Sequence, residues 1–230
     1  MPDRGILYIV WGKDDKTERA LERSKQSVKD IHPELPVEVC RLDVDDPIKG
    51  LLQKARMFEL SPFNETLFLD ADTLVLGRLD FGFTKAQEFG VACCICECPW
   101  ANRYAGVQGE TVEYGTGVLF FARRAKPVFD AWSQLAPKID SSVVFHGPQG
   151  QIMRMPYADQ GSFAVAIEET KVSPFVLPLN WNFRPQWQLS FFGPLKIWHD
   201  YSEPPAQFID EMRKYYSQPD AIIQYHAAMR

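Results

Sequence analysis

The sequence predicts an α/β domain with a mostly parallel central sheet flanked by helices. Two observations carry that expectation. Apolar runs of strand length recur without polar alternation, as in Gly5-Ile-Leu-Tyr-Ile-Val-Trp11 and Thr66-Leu-Phe-Leu69. Such runs suit strands covered on both faces. Between the first run and the next strand lies a stretch with helical periodicity, and strand, helix, strand is the start of a parallel-sheet unit. The 230 residues, 46% hydrophobic and 24% charged, are enough for one such domain without disulfides or structural metal.

The first strand ends at Trp11 and a polar turn, Gly12-Lys-Asp-Asp15. Thr17 to Ile31 then places Ala20, Leu21, Ser24, Val28 and Ile31 on one stripe of a helix. Asp15 and Glu18 have capping-box spacing, and Pro33 stops the helix. Val37 to Leu42 is the second strand. Leu51 to Leu60 reads as a helix with Leu51, Ala55 and Phe58 inward, and Ser61-Pro-Phe-Asn64 turns the chain. After Gly77 the pattern is less regular. Phe89 to Cys96 and Gly117 to Ala122 read as strands. A helix follows from Pro127, burying Val128, Ala131 or Trp132, and Leu135. Asp159 to Glu168 is a short helix with Phe163 and Ile167 on one side. From Pro174 the chain is rich in Pro and aromatics, which suits an ordered cleft wall. Pro205 to Tyr216 reads as the last helix, before the apolar run Ala221 to Tyr225.

The net charge of −5 and the lack of a basic block argue against nucleic-acid binding. The apolar stretch Ile6 to Trp11 is too short for a signal peptide or a membrane span, so a cytoplasmic protein with no integral membrane segment is expected. Of the five cysteines, Cys93, Cys94, Cys96 and Cys98 crowd one strand and have no second half-site spaced for zinc. They are expected to act as small hydrophobes in a reduced protein.

The segment that carries chemistry is Leu67-Phe-Leu-Asp70-Ala71-Asp72-Thr73-Leu-Val. An apolar strand delivers two acids to its C-terminal end, the edge at which open parallel sheets bind ligands. Residues two apart on a strand face the same way. Two carboxylates so placed repel, and a hard divalent cation removes the conflict. A diphosphate is the natural second partner of that ion. The competing reading is a loop start whose acids cap a turn or pair with Arg78. A phosphatase of the Asp-x-Asp-x-Thr type is a further alternative, but Thr73 falls one position early and Leu74 holds the Thr place. A nucleotidyltransferase would carry a Gly-rich basic loop after the first strand, where this chain has the acidic Gly12-Lys-Asp-Asp-Lys16.

In order along the chain, several segments resemble glycosyltransferases of the GT-A fold, above all family 8, the glycogenin-like and galactosyltransferase-like group. The motifs are Lys54 on a helix before the acidic strand; Leu69 to Val75; Leu79-Asp80-Phe81; Tyr114-Gly-Thr-Gly-Val118; Asp159-Gln160-Gly161; Leu177-Pro-Leu-Asn-Trp181-Asn182; and Lys196-Ile-Trp-His199. There are two departures. Gly115 stands where the group has Asn, and the Lys-Pro-Trp that follows the metal His is missing, with Glu203-Pro-Pro205 nearby.

The resemblance implies a Rossmann-like GT-A single domain over residues 1–230. Residues 1–100 would form the nucleotide-binding half, and residues 101–230 the half that meets the acceptor and completes the metal site. It implies transfer of a hexose from a nucleoside diphosphate sugar, a UDP-sugar, to a hydroxyl of a glycan, lipid or protein acceptor, with retention. Asp70, Asp72 and His199 would hold Mn²⁺ or Mg²⁺, with His226 as the fallback imidazole. Tyr8, Val10, Trp11, Lys54 and Ala71 would meet the donor together with the two acids. Arg56 and Arg184 are further phosphate candidates. Asp159 and Gln160 would act at the sugar, unless Asp159 serves only as a helix N-cap. The departures leave open a non-catalytic relative that binds sugar nucleotide or polysaccharide.

Overall fold

The computed structural model describes residues 3–96, 110–139, 143–146, 150–155, 157–206, 209 and 224–226. Its first half runs β1 (Arg4–Trp11), α1 (Asp15–Ile31), β2 (Val37–Leu42), α2 (Pro47–Lys54), α3 (Met57–Leu60), β3 (Glu65–Leu69), β4 (Thr73–Val75), α4 (Asp80–Phe89) and β5 (Val91–Ile95). There follow β6 (Tyr114–Ala122), α5 (Lys126–Leu135), β7 (Val143–His146), β8 (Ile152–Met155), α6 (Asp159–Thr170), β9 (Phe175–Leu177), β10 (Ser190–Phe192), β11 (Ile197–His199) and β12 (Gln224–His226).

The central sheet has six strands in the order β2-β1-β3-β6-β5-β9. Pairing is parallel except at β6, which runs antiparallel to both β3 and β5. The uninterrupted apolar runs in β1 and β3 follow from this position, because the pleat sends alternate residues into two separate cores. Leu7, Ile9 and Phe68 enter a core shared with α3, α5 and α6, centred on Phe121, Phe129, Trp132 and Phe163. Ile6, Tyr8, Val10, Leu67 and Leu69 enter the opposite core with Leu21 and Val28 of α1 and Phe83 of α4. Trp132 is fully buried, and its indole N–H donates to Ser162 Oγ at 2.9 Å, which ties α5 to α6 without stranding a polar group. Truncating a buried Trp of this kind costs about 3–5 kcal/mol.

A third, smaller core of Leu74, Phe183, Phe191, Leu195 and Trp198 sits under a two-stranded ribbon, β4 with β11. In that ribbon His199 lies opposite Thr73. The C-terminal third of the described chain is thereby brought to the end of β3.

Several local readings need correction. Helix α1 is capped by Asp14, whose carboxylate accepts from the backbone N–H groups of Lys16 and Thr17, rather than by a box at Asp15. Glu18, the other half of the expected box, instead pairs with Arg41. The expected helix 51–60 is two: α2 starts earlier, at Pro47 behind the Asp46 cap, and the chain turns at Ala55 and Arg56 before α3. The stretch after Gly77 contains a regular helix, α4, which buries Gly82, Phe83 and Ala86. Helix α5 buries Val128, Phe129 and Trp132, while Leu135 is partly exposed. Cys93, Cys94 and Cys96 are buried free thiols, as small hydrophobes would be; Cys98 lies outside the described residues. Most of the expected helix 205–216 lies outside them too. No described helix is long and apolar enough to cross a membrane.

Candidate active site

β3 ends at Leu69, and the Asp70-Ala71-Asp72 turn leads into β4. The turn is fixed by its own backbone: Asp70 N–H donates to Gly117 of β6 at 2.8 Å, and Thr73 N–H to the Asp70 carbonyl at 3.2 Å. The Thr73 hydroxyl donates to the same carbonyl at 2.8 Å and lies 3.0 Å from the Ser24 hydroxyl, which in turn lies 2.8 Å from Tyr8 Oη. A buried chain of hydroxyls thus braces the turn from behind.

Across the ribbon, His199 turns its imidazole toward both acids. Its Nε2 is 3.3 Å from Asp72 Oδ1 and 3.8 Å from Asp70 Oδ2. Ligand atoms of the three residues lie within 4.8 Å of one another. The other ring nitrogen, Nδ1, is 2.7 Å from Asn182 Oδ1. Two carboxylate oxygens and one imidazole suit a borderline-to-hard divalent ion such as Mn²⁺ or Mg²⁺ better than a thiolate-seeking one. The residues present therefore fit the ion that the sequence implies.

Lys54 lies beneath the acids. Its side chain is almost fully buried, with Nζ 3.0 Å from Asp70 Oδ1 and 2.8 Å from Asp159 Oδ2. The Thr116 hydroxyl donates to Asp159 Oδ2 at 2.8 Å. Burial works against the lysine's charge, but Asp159 and Asp70 outweigh it and hold the ammonium above the ordinary lysine range. Burial likewise pushes Asp159 up, but Lys54 and the Thr116 hydroxyl hold it below the ordinary carboxylate range. With the imidazole neutral, three carboxylates less one ammonium leave two negative charges at the floor. A divalent cation matches that charge.

A cavity of about 370 Å³ opens above, lined by Ile9, Val10, Trp11, Thr17, Leu51, Lys54, Asp70, Ala71, Asp72 and Tyr201. Val10, Trp11, Lys54, Asp70, Ala71 and Asp72, all singled out in the sequence, meet here. Trp11 both lines the cavity and packs on the core, with its indole against Gly50 of α2. Tyr8 does not line the cavity. It is fully buried in the α1-side core, on the same face as Val10 but further from the strand's end, where the cavity lies. Burial raises its phenol pKa well above the ordinary value, with the Ser24 hydroxyl opposing.

Asp159 is the first residue of α6, so Ala158 holds the N-cap position and the Asp159 carboxylate is spent on Lys54 and Thr116 instead. Gln160 lies next to it, and its Oε1 accepts from the buried Cys96 thiol at 3.2 Å. Arg56 points elsewhere, to Glu59 and Gln53. Arg78 pairs with Asp80 and Glu34 and not with the acid pair. Arg184 is not among the residues lining the cavity. The side chain of His226 lies outside the described residues.

Several participants carried no signal in the sequence. Thr17 and Tyr201 reach the cavity only through folding, and Lys16 Nζ sits 3.7 Å over the Tyr201 ring at its mouth. Arg23 of α1 fastens the segment that bears Tyr201, donating to the carbonyls of Asp200 and Tyr201 at 2.9 Å each and pairing with Glu203 at 2.8 Å. Gly117 offers a sequence signal only in hindsight: a Cβ there would overlap the Asp70 carboxylate and the His199 ring.

No family model and no curated protein matches the sequence. Solved structures do match. One is a glycosyltransferase involved in glycosylation of the major capsid of PBCV-1, with a TM-score of 0.56 at 14% identity, covering 93% of this chain and 100% of that one. The fold is the GT-A glycosyltransferase fold. Mouse xyloside xylosyltransferase 1 aligns with a TM-score of 0.55 at 15% identity, over 88% of this chain and 100% of the other. The galactosyltransferase LgtC, solved with donor and acceptor sugar analogs, aligns with a TM-score of 0.52 at 11% identity, over 95% of this chain and 97% of that one.

Proposed function

We propose that the chain is a metal-dependent glycosyltransferase that moves a hexose from a nucleoside diphosphate sugar, a UDP-sugar, onto a hydroxyl of a glycan, lipid or protein acceptor. One observation carries the reading. Asp70 and Asp72 line the floor of an open cavity and His199 converges on them, at the sheet edge where this fold has room for a nucleotide. The glycosyltransferase neighbours share the fold that creates this edge.

In this reading Mn²⁺ or Mg²⁺ held by Asp70, Asp72 and His199 offsets the charge that builds on the departing diphosphate. Val10, Trp11 and Ala71 flank the nucleoside, and the Trp11 face offers it a stacking surface. Lys54 fixes Asp70 and Asp159 relative to each other, so that the donor meets a preorganised floor. Asp159 and Gln160, at the start of α6, stand nearest the sugar. Retention belongs to the same reading. The acids at the floor are already engaged, Asp159 by Lys54 and Thr116, Asp70 by Lys54 and, in this reading, Asp70 and Asp72 by the metal, which leaves none of them free to deprotonate an acceptor. Residues 1–100 then carry the nucleotide half, and residues 101–230 supply His199 and the acceptor side.

The test is a set of UDP- and GDP-sugars screened with Mn²⁺ for thermal stabilisation, followed by donor hydrolysis and NMR of the released anomer. A UDP-sugar is expected to raise the melting temperature only with metal. If no nucleotide sugar stabilises the wild type, the assignment is wrong.

A further inference from the structure

Resting on the metal-site reading, we infer that Asn182 is the positioning residue that makes His199 a metal ligand, and that Gly115 is glycine to make room for it. An imidazole can coordinate only through a nitrogen that carries no proton. Which nitrogen that is depends on the hydrogen bond made by the other. Here Nδ1 lies 2.7 Å from Asn182 Oδ1, so Nδ1–H donates to the amide oxygen. The Nε2 lone pair is then left pointing at Asp72 and Asp70, 3.3 and 3.8 Å away.

Asn182 can hold this position because three elements confine it. It is 2% exposed and follows the short 3₁₀ turn Leu179–Trp181, and its own N–H donates to the Leu179 carbonyl at 3.1 Å. The next residue, Phe183, is locked to β11 in both directions: its N–H donates to Ile197 O at 2.9 Å and its carbonyl accepts from His199 N–H at 2.8 Å. The backbones of Asn182 and His199 are therefore kept in register. On the far side the amide abuts β6, where a Cβ on Gly115 would stand 2.8 Å from Asn182 Nδ2. That is closer than real Cβ contacts come, so the amide would have to shift, and a shift changes its 2.7 Å contact with the ring. The two glycines of Tyr114-Gly-Thr-Gly-Val118 thus serve one assembly: Gly117 admits the Asp70 carboxylate and the His199 ring, and Gly115 admits the amide that orients the ring.

The experiment titrates Mn²⁺ into the whole protein and counts free ion by EPR, for the wild type, Asp72→Ala, Asn182→Leu, Asn182→Asp and Gly115→Ala. Two-dimensional ¹⁵N NMR of the His199 ring reports which nitrogen is protonated. Asn182→Leu removes the acceptor and should weaken Mn²⁺ binding roughly 10- to 100-fold and abolish the single Nδ1–H tautomer. Asn182→Asp keeps an acceptor and should retain both affinity and tautomer. Gly115→Ala, with Asn182 intact, should shift both toward the Leu variant. If Asp72→Ala loses Mn²⁺ while Asn182→Leu and Gly115→Ala bind as the wild type does, the positioning role is overturned and the metal site stands. If the wild type itself takes up no Mn²⁺, the site and this role fall together. Should Asn182→Leu fail to fold, Asn182→Asp and Gly115→Ala still decide, since the role requires one to bind and the other to weaken.

Discussion

Among the described residues there are two clusters of one histidine and two acids, and they do different work. Asp70 and Asp72 line the floor of a cavity with His199 beside them, while His32, Glu34 and Asp80 join the end of α1 to the start of α4. The residue types match, and both sets bring ligand atoms within 4.8 Å. The difference lies in what already occupies them. In the joint, His32 Nε2 accepts from Leu79 N–H at 2.9 Å, so its Nδ1–H is spent on Glu34, 2.9 Å away. His32 and then Arg78 hold the Glu34 carboxyl down to about 2, and Arg78 also neutralises Asp80. With the ring neutral, Glu34, Asp80 and Arg78 leave one negative charge, and it sits on acids that are open to water. At the floor, the histidine's spare proton goes to a neutral amide and its lone pair faces Asp72 and Asp70, of which only Asp70 meets the buried lysine, a lysine it shares with Asp159. Charge balance there calls for a cation from outside.

The sharpest way to break this contrast is Asp72→Ala. It removes a carboxylate from the floor and, if the cluster holds the catalytic metal, several kcal/mol of transition-state stabilisation, so kcat/KM for glycosyl transfer should fall by roughly 10³-fold or more. Melting temperature without metal should stay close to that of the wild type. A variant with near-normal activity would reduce the floor to a second structural joint.

Lys54→Met tests the other half of the floor. It leaves Asp159 buried with only the Thr116 hydroxyl, and breaking a buried pair in this way costs about 3–5 kcal/mol, read from urea unfolding. The pH dependence follows from the two shifts. Lys54 is raised in the folded protein, so its contribution is complete below the ordinary lysine pKa. Asp159 is lowered, so its contribution is complete above the ordinary Asp pKa of about 4 and is lost as pH falls below that. The wild type therefore loses the pair's stabilisation in acid, while protonation relieves the lone Asp159 of the variant. The gap between the two should narrow from pH 7 to below pH 4. A gap independent of pH would mean that Lys54 contributes by packing alone.

The same contrast explains how much was legible in the chain. β1 and β3 read correctly because a strand with a core on each face must be apolar at nearly every position. Asp70 and Asp72 were legible because they end such a strand. Helix α4 was not, since its buried face is carried by Gly82, Phe83 and Ala86, too few large residues to show a stripe. The resemblance placed Tyr8 with the donor, but the cavity lies at the strand's end, where Val10 and Trp11 reach it and Tyr8 does not. Asn182 appeared in a motif without a role. Its role depends on β11 pairing with β4 across more than a hundred residues, a long-range register that no local pattern encodes.

His32→Ala probes the joint at the next scale down. The ring is 1% exposed and accepts from the backbone N–H of Leu79, so its loss strands a buried donor at a cost of about 1–3 kcal/mol. Mn²⁺ affinity and glycosyl transfer should not move. A loss of metal affinity would make the two clusters one coupled system.

Arg78→Gln should have the smallest effect, and it separates charge from stability. Arg78 joins Glu34 at 2.8 Å and Asp80 at 2.9 Å, but about half of its side chain remains in water. Water and salt already screen such pairs, and ordering three flexible side chains consumes most of what their attraction returns. Unfolding by urea should therefore be indistinguishable from the wild type at physiological salt. What changes is charge: the joint loses its cation and gains, in principle, the same unbalanced acids as the floor. It should nevertheless bind no Mn²⁺, because His32 Nε2 remains committed to Leu79 N–H and Glu34 and Asp80 are free to turn into solvent. Appearance of a second Mn²⁺ equivalent in the EPR titration of Arg78→Gln would show that net charge alone makes a site. Its absence would assign the difference between the clusters to the orientation of the imidazole.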